Sequence, residues 1–181
     1  MTSYSELVEL FSSENIARWS MAELQEIGLS PASAQLLADV GLPVDVPLVF
    51  TTQVQGEPSL FSSYEFMLGG EPAKILIIGG PPGDAGTRFF LDVHDDIVGL
   101  FSFSATSPGS EVVNASLENF ITFLCLYAEC ARKIVDAKPV ERLKAIQELS
   151  SRLREQDHFA FDRNDGWWSV VLDHLRGDLR I

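Results

Sequence analysis

Few residues in this chain have the types and spacing that chemistry needs, and the first group is a loop. Lys74 to Val93, KILIIGGPPGDAGTRFFLDV, carries an apolar β-like run into a Gly-Pro-Pro-Gly loop ending in Thr. A phosphate-binding loop requires G-x-x-x-x-G-K-[ST]. Its glycines let backbone N–H groups close on phosphate, its lysine neutralises charge, and its hydroxyl reaches magnesium. Read from Gly80, the second glycine is replaced by Ala85 and the lysine by Gly86, and Asp84 puts an acid where polyphosphate would lie. Phe89, Phe90, Leu91 and Val93 then read as a strand. A phosphate loop must instead open a helix, whose N-terminus supplies the positive dipole. The local rules therefore give a β-hairpin with a long turn. A nucleotide-binding or small-molecule-binding enzyme using Gly79–Thr87 is the alternative.

The other groups are weaker. His94 lies beside Asp95 and Asp96 in a turn, where neighbouring side chains diverge, and no residue elsewhere is nominated to complete a metal site. His158 and His174 read as surface or satisfied histidines. Cys125 and Cys130, five residues apart in an apolar helical segment, point to different sides and read as buried free thiols. No G-x-S-x-G elbow is present and no carboxylate pair stands out. Asn114-Ala115-Ser116 matches a glycosylation sequon by letters but reads better as a helix cap. The sequence thus assigns no catalytic, cofactor-binding or metal-ligating residue.

The elements that would position these residues fall into three runs. The first third reads helical: Tyr4–Phe11, a short helix capped by Ser20 and Glu23 and ended by Gly28, and a helix opened by Ser30-Pro31 and stopped by Gly41. The middle third reads as strands at Leu48–Thr52, Leu60–Tyr64, Lys74–Gly79, Arg88–Val93 and Ile97–Phe103, with short links that imply antiparallel neighbours. In the last third a helix capped at Asn114 or Ser116 carries a stripe of Leu117, Phe120, Ile121, Leu124, Ala128, Ala131 and Val135. Pro139 opens the next helix, with Leu143, Ile146, Leu149 and Leu153 inward and Glu148–Arg152 as an i,i+4 pair. The final helix follows Asp165. Its stripe includes Trp168, while Trp167 lies at the border, for rim packing or as an aromatic anchor in an interface. The order predicts an α+β fold, a central antiparallel sheet of about five to six strands flanked by N-terminal and C-terminal helices, in one domain spanning 1–181.

Composition narrows the function. The net charge is −13 over 181 residues. Between Met1 and Ala73 ten acids face one base, Arg18, whereas Glu129 to Ile181 holds ten of each. This disfavours nucleic-acid binding through a basic face and suits a negatively charged face that selects a basic partner. No apolar run is long enough to span a membrane, and the N-terminus lacks a signal-peptide pattern, so cytoplasm is the expected compartment.

Four stretches, in order, resemble the SUKH superfamily of bacterial immunity proteins, and within it the fourth group. They are ASAQLLADVGLP (Ala32–Pro43), ILIIGGPPGDAGTRFFLDVHDDIVGLFSF (Ile75–Phe103), VVNASLENFITFLCLY (Val112–Tyr127) and DGWWSVVLDHLRGDL (Asp165–Leu179). The loop at Gly79–Thr87 is longer and richer in Gly and Pro than that pattern. The resemblance implies a central antiparallel sheet wrapped by helices. It also implies a protein that binds and blocks a cognate polymorphic toxin, often a nuclease or deaminase. A SUKH-like regulatory adaptor is a further alternative. The expected mode is occlusion of the toxin's active site by a monomer or weak dimer, without cofactor, membrane or direct nucleic-acid contact. The candidate contacts are Asp84, Asp95 and Asp96 at the hairpin turns, because turn tips are exposed, together with Trp167.

Overall fold

A computed structural model describes residues 2–68, 71–102 and 109–177. Helix α1 (Tyr4–Phe11) begins at a capping box in which Ser3 and Glu6 satisfy each other's backbone N–H groups. A short strand β1 (Ile16–Ala17) follows. Helix α2 (Met21–Ile27) repeats the capping device with Ser20 and Glu23, and Gly28 ends it in the left-handed region at φ 90°. Helix α3 (Pro31–Asp39) starts from Ser30 with proline in the first turn.

Strand β2 (Leu42–Pro43) pairs back on β1, and β3 (Asp45–Val46) pairs with β4 (Phe50–Thr51). The single strand expected at Leu48–Thr52 is therefore half turn: Leu48 sits at φ 70° and is exposed. The main sheet comprises β5 (Ser63–Leu68), β6 (Glu71–Gly79), β7 (Thr87–Asp92), β8 (Val98–Ser102) and β9 (Gly109–Asn114), adjacent in chain order and antiparallel throughout. This is the expected α+β architecture with a five-stranded sheet. Phe103, the expected end of one strand, and Leu179 lie outside the described residues. β5 begins at Ser63 rather than Leu60.

Strand β9 is not among the five strands that the sequence predicts. Its last residue, Asn114, is fully buried and caps nothing. Ser116 is the cap of α4 (Leu117–Ile134), accepting a hydrogen bond from the Asn119 N–H at 3.1 Å. Asn114 instead ties three elements. Its Oδ1 accepts from the Trp168 indole at 2.9 Å. Its Nδ2 donates to Asp157, whose carboxylate also accepts from the Ala115 N–H at 2.8 Å. Asp157 closes α5 (Pro139–Gln156), and Trp168 lies in α6 (Trp167–Gly177). Buried polar groups are retained where every partner is satisfied.

One sheet face packs Leu76, Ile78, Phe89, Leu91, Val98, Leu100 and Val113 into a continuous core with α4, α6 and the N-terminal helices. Phe50, Phe89 and Phe120 meet there at ring-centroid distances of 5.3–5.7 Å. Two expected inward residues face water: Val135, just past the end of α4, is 75% exposed, and Leu143 in the first turns of α5 is 45% exposed. Helix periodicity marks a stripe but not where the neighbouring helix stops covering it. The expected Glu148–Arg152 pair does not form. Arg152 reaches across to Glu129 on α4 at 3.4 Å, and Glu148 meets Lys144 at 3.9 Å.

Candidate partner interface

The loop between β6 and β7 is built around a cation. Arg88, the second residue of β7, is fully buried. Its Nε donates to the Pro58 carbonyl at 2.8 Å and its Nη2 to the Gln55 carbonyl at 2.6 Å. Its Nη1 faces the carbonyls of Thr87 at 2.9 Å, Ala85 at 3.2 Å and Asp84 at 3.5 Å. The loop therefore turns carbonyl oxygens inward. A phosphate cradle needs converging N–H groups, and here three of the loop's N–H groups are occupied. Gly80 N–H pairs with Thr51, Asp84 N–H with Pro81, and Gly86 N–H with the Asp84 carboxylate at 2.7 Å.

The glycines also have other duties. A Cβ at Gly79 would collide with the Phe50 ring, and Gly83 takes φ +77°. Strand β7 follows, not a helix. Asp84 is exposed, and its second carboxylate oxygen accepts from the Thr87 hydroxyl at 2.6 Å.

Asp95 and Asp96 lie in the turn between β7 and β8. The Asp92 carboxylate supports that turn by accepting the N–H groups of His94 and Asp95. His94 and Asp95 are exposed. Asp96 is half-buried at φ 58°, and its Oδ1 accepts from the hydroxyls of Ser30 at 2.9 Å and Ser33 at 2.7 Å. It thus fastens the sheet to the first turn of α3.

Asp84 and the Asp95–Asp96 pair sit at opposite ends of β7. Six residues at about 3.3 Å each separate those ends by roughly 20 Å. The sequence places all three at turn tips; the chain path keeps them apart. Trp167 is half-buried, with its ring edge-on to Phe89 at 5.3 Å, so the core holds much of it. Its indole N–H is buried without a partner.

Beside Asp96 the structure shows a feature that sequence reasoning missed. A cleft of about 580 Å³ opens between the start of α1, the exposed side of α3, the β7–β8 turn and the start of α4. Asp39, Asp96 and Glu118 contribute carboxylates and no Lys or Arg lines it, while Leu36, Val40 and Leu117 supply apolar surface. Asp39 ends α3 and Glu118 lies in the first turn of α4. A clue was present in each segment, but nothing in sequence links positions this far apart.

Neither cysteine makes a nucleophile. Burial, reinforced by Glu129 and Glu6, pushes the Cys125 thiol up to about 12, and burial also raises Cys130. Among the described residues no helix is long and apolar enough to cross a membrane.

The family model described as SUKH-4 immunity protein matches residues 3–174. The chain belongs to this family. Its members are immunity proteins, so a protein toxin is the kind of partner implied. No curated protein and no solved structure matches the chain significantly.

Proposed function

We propose that this chain neutralises a cognate toxin by binding it and covering its active cleft, without turnover of its own. The observation that carries this reading beyond family membership is the one-sided charge. The N-terminal 73 residues hold ten acids and one base, while seven of the thirteen bases fall between Arg132 and Arg154. A net charge of −13, with the acidic excess in the N-terminal segment, favours association with a basic partner. A nuclease or deaminase region, which must attract nucleic acid, has the complementary charge. On this reading the inhibitor stands in for the anionic substrate, acts as a monomer or weak dimer in the cytoplasm, and binds no nucleic acid itself.

The exposed turn tips at Asp84 and Asp95, the half-buried Asp96 and the rim of Trp167 are the candidate contacts. Since Asp84 and Asp95 lie at opposite ends of β7, separate charge reversals test which end meets the toxin. Asp84→Lys or Asp95→Lys should slow association, most strongly at low salt.

The direct experiment is to read the neighbouring genes for a toxin region and co-express that region with this chain. Growth should be rescued, and the two chains should co-purify. Rescue without a complex, or turnover by the purified chain that a single substitution abolishes, would overturn the reading.

A further inference from the structure

We propose that the open edge of β5 accepts an added strand from the toxin, an extended basic segment whose backbone pairs with Ser63, Glu65 and Met67. This rests on the toxin-binding reading and specifies one contact within it.

The main sheet ends at β5, which pairs with β6 alone. The register fixes which backbone groups of β5 are spare. On β6 the Lys74 carbonyl accepts the Val93 N–H, so Lys74 turns its backbone toward β7, while the Ile77 N–H bonds the Ser62 carbonyl on the β5 side. Bonded pairs recur at every second residue of an antiparallel ladder. Tyr64 with Ile75 and Phe66 with Ala73 are therefore bonded pairs, and Ser63, Glu65 and Met67 stand opposite Leu76, Lys74 and Pro72 without bonding them. Their N–H and C=O groups face outward, and nothing among the described residues bonds them.

An edge of this kind is ordinarily shortened, bulged, covered or studded with lysine and proline. Strand β5 has six residues in unbroken register, with no proline and no lysine. Ser63, Tyr64, Glu65 and Met67 are exposed. The opposite edge, β9, lies against the His158–Phe161 turn.

Charge selects the occupant. Lys74 reaches Oε1 of Glu65 at 3.2 Å, yet the Glu65 side chain stays 75% exposed. Self-pairing that used Ser63, Glu65 and Met67 of two copies would set Glu65 against Glu65, between chains that each carry −13. A foreign strand with Lys or Arg opposite Glu65, and a β-branched or aromatic residue opposite Tyr64, gains from the same positions.

The test is residue-resolved amide exchange on the full chain, alone and with the co-expressed toxin region. In the free chain Ser63, Glu65 and Met67 should exchange fast, and Tyr64 and Phe66 slowly. The toxin region should slow the first three by about tenfold or more. Glu65→Pro removes an N–H that β6 does not use and should weaken capture by about tenfold or more. Glu65→Gln keeps the backbone and should cost about two- to fivefold. Asp136→Asn, between α4 and α5, should change nothing. Spectral dispersion reports folding for each variant, and Ser63→Pro repeats the proline test at a second outward position. Capture that leaves the β5 amides fast, or that both proline variants retain in full, rejects the edge and keeps the immunity reading. A dimer of the chain alone that Glu65→Pro dissolves rejects the toxin as occupant. No capture rejects the immunity reading, and a disulfide-closed hairpin peptide whose free strand reads Thr-Val-Lys-Val-Thr then judges the edge. That peptide should shift the amides of Ser63, Glu65 and Met67, and its glutamate counterpart should bind more weakly; absent shifts, or equal binding by the two peptides, reject the edge as well.

Discussion

Replacing Arg88 with methionine tests whether the Gly/Pro loop is held by an internal cation. The substitution keeps much of the stem's packing and removes every hydrogen bond the guanidinium donates. It also removes the cation's own desolvation penalty, which would otherwise offset part of the loss. What remains is the orphaned acceptors. The Pro58 carbonyl loses a charge-assisted bond of 2.8 Å in a buried position, worth about 1–3 kcal/mol. The Gln55 carbonyl loses a bond of 2.6 Å but is only part-buried, so water recovers some of it. The remaining loop carbonyls rehydrate. The expected net loss is about 2–4 kcal/mol, which at this chain length lowers the melting temperature by roughly 4–16 °C.

The loss should be local in character. Amide exchange should quicken over Gln53–Leu60 and Gly80–Thr87 and change little in α4. Arg88→Lys should fare no better, because a single ammonium cannot span carbonyls on two loops. Urea unfolding with exchange mass spectrometry reads both quantities. A loss below about 0.5 kcal/mol, unchanged exchange in both loops, or full rescue by lysine would refute the cage.

The adjacent tryptophans should respond unequally. Trp168→Phe leaves Asn114 Oδ1 buried without its donor and should lower stability by about 1–3 kcal/mol in urea unfolding. Trp167→Phe removes an indole N–H that has no partner and should stay within about 0.5 kcal/mol. Glu111 gives a pH signature. Burial, opposed by Arg163, raises its folded pKa above 4.5, so the folded state holds its proton more tightly and stability falls as pH rises from 4.5 through the folded value. Glu111→Gln should flatten that slope in thermal melts and raise the melting temperature at neutral pH. Glu6 and Glu23 carry the opposite sign. Hydrogen bonds from Ser3 and Ser20 hold both carboxyls below 4.5, so their capping contribution is present above 4.5 and is lost as pH falls through the lowered values. Exchange at α1 and α2 should accelerate there, and Ser3→Ala, which keeps the Ser3 N–H bond to Glu6 and loses only the hydroxyl's, should shrink the transition in α1 alone.

Much of this protein could be read from the order of its residues, because the signals involved are local. The Ser20–Glu23 box, the Ser30-Pro31 start and the Gly28 stop act within one turn, so spacing alone placed the helices. Short apolar β-rich runs bounded by turn residues placed β6, β7 and β8. The gaps in that reading share a cause. Strand β9 hid because Asn114 and Ser116 both resemble caps, and only burial shows that Asn114 serves Trp168 and Asp157 instead. Arg88 looked like any strand residue until the path of Gln55–Pro58 brought carbonyls onto it. The turn-tip acids were legible one by one, but their separation along β7 and the meeting of Asp39, Asp96 and Glu118 were not. Caps and periodicity depend on neighbours within about four residues, whereas a pocket or a buried network is created by chain segments that only packing brings together.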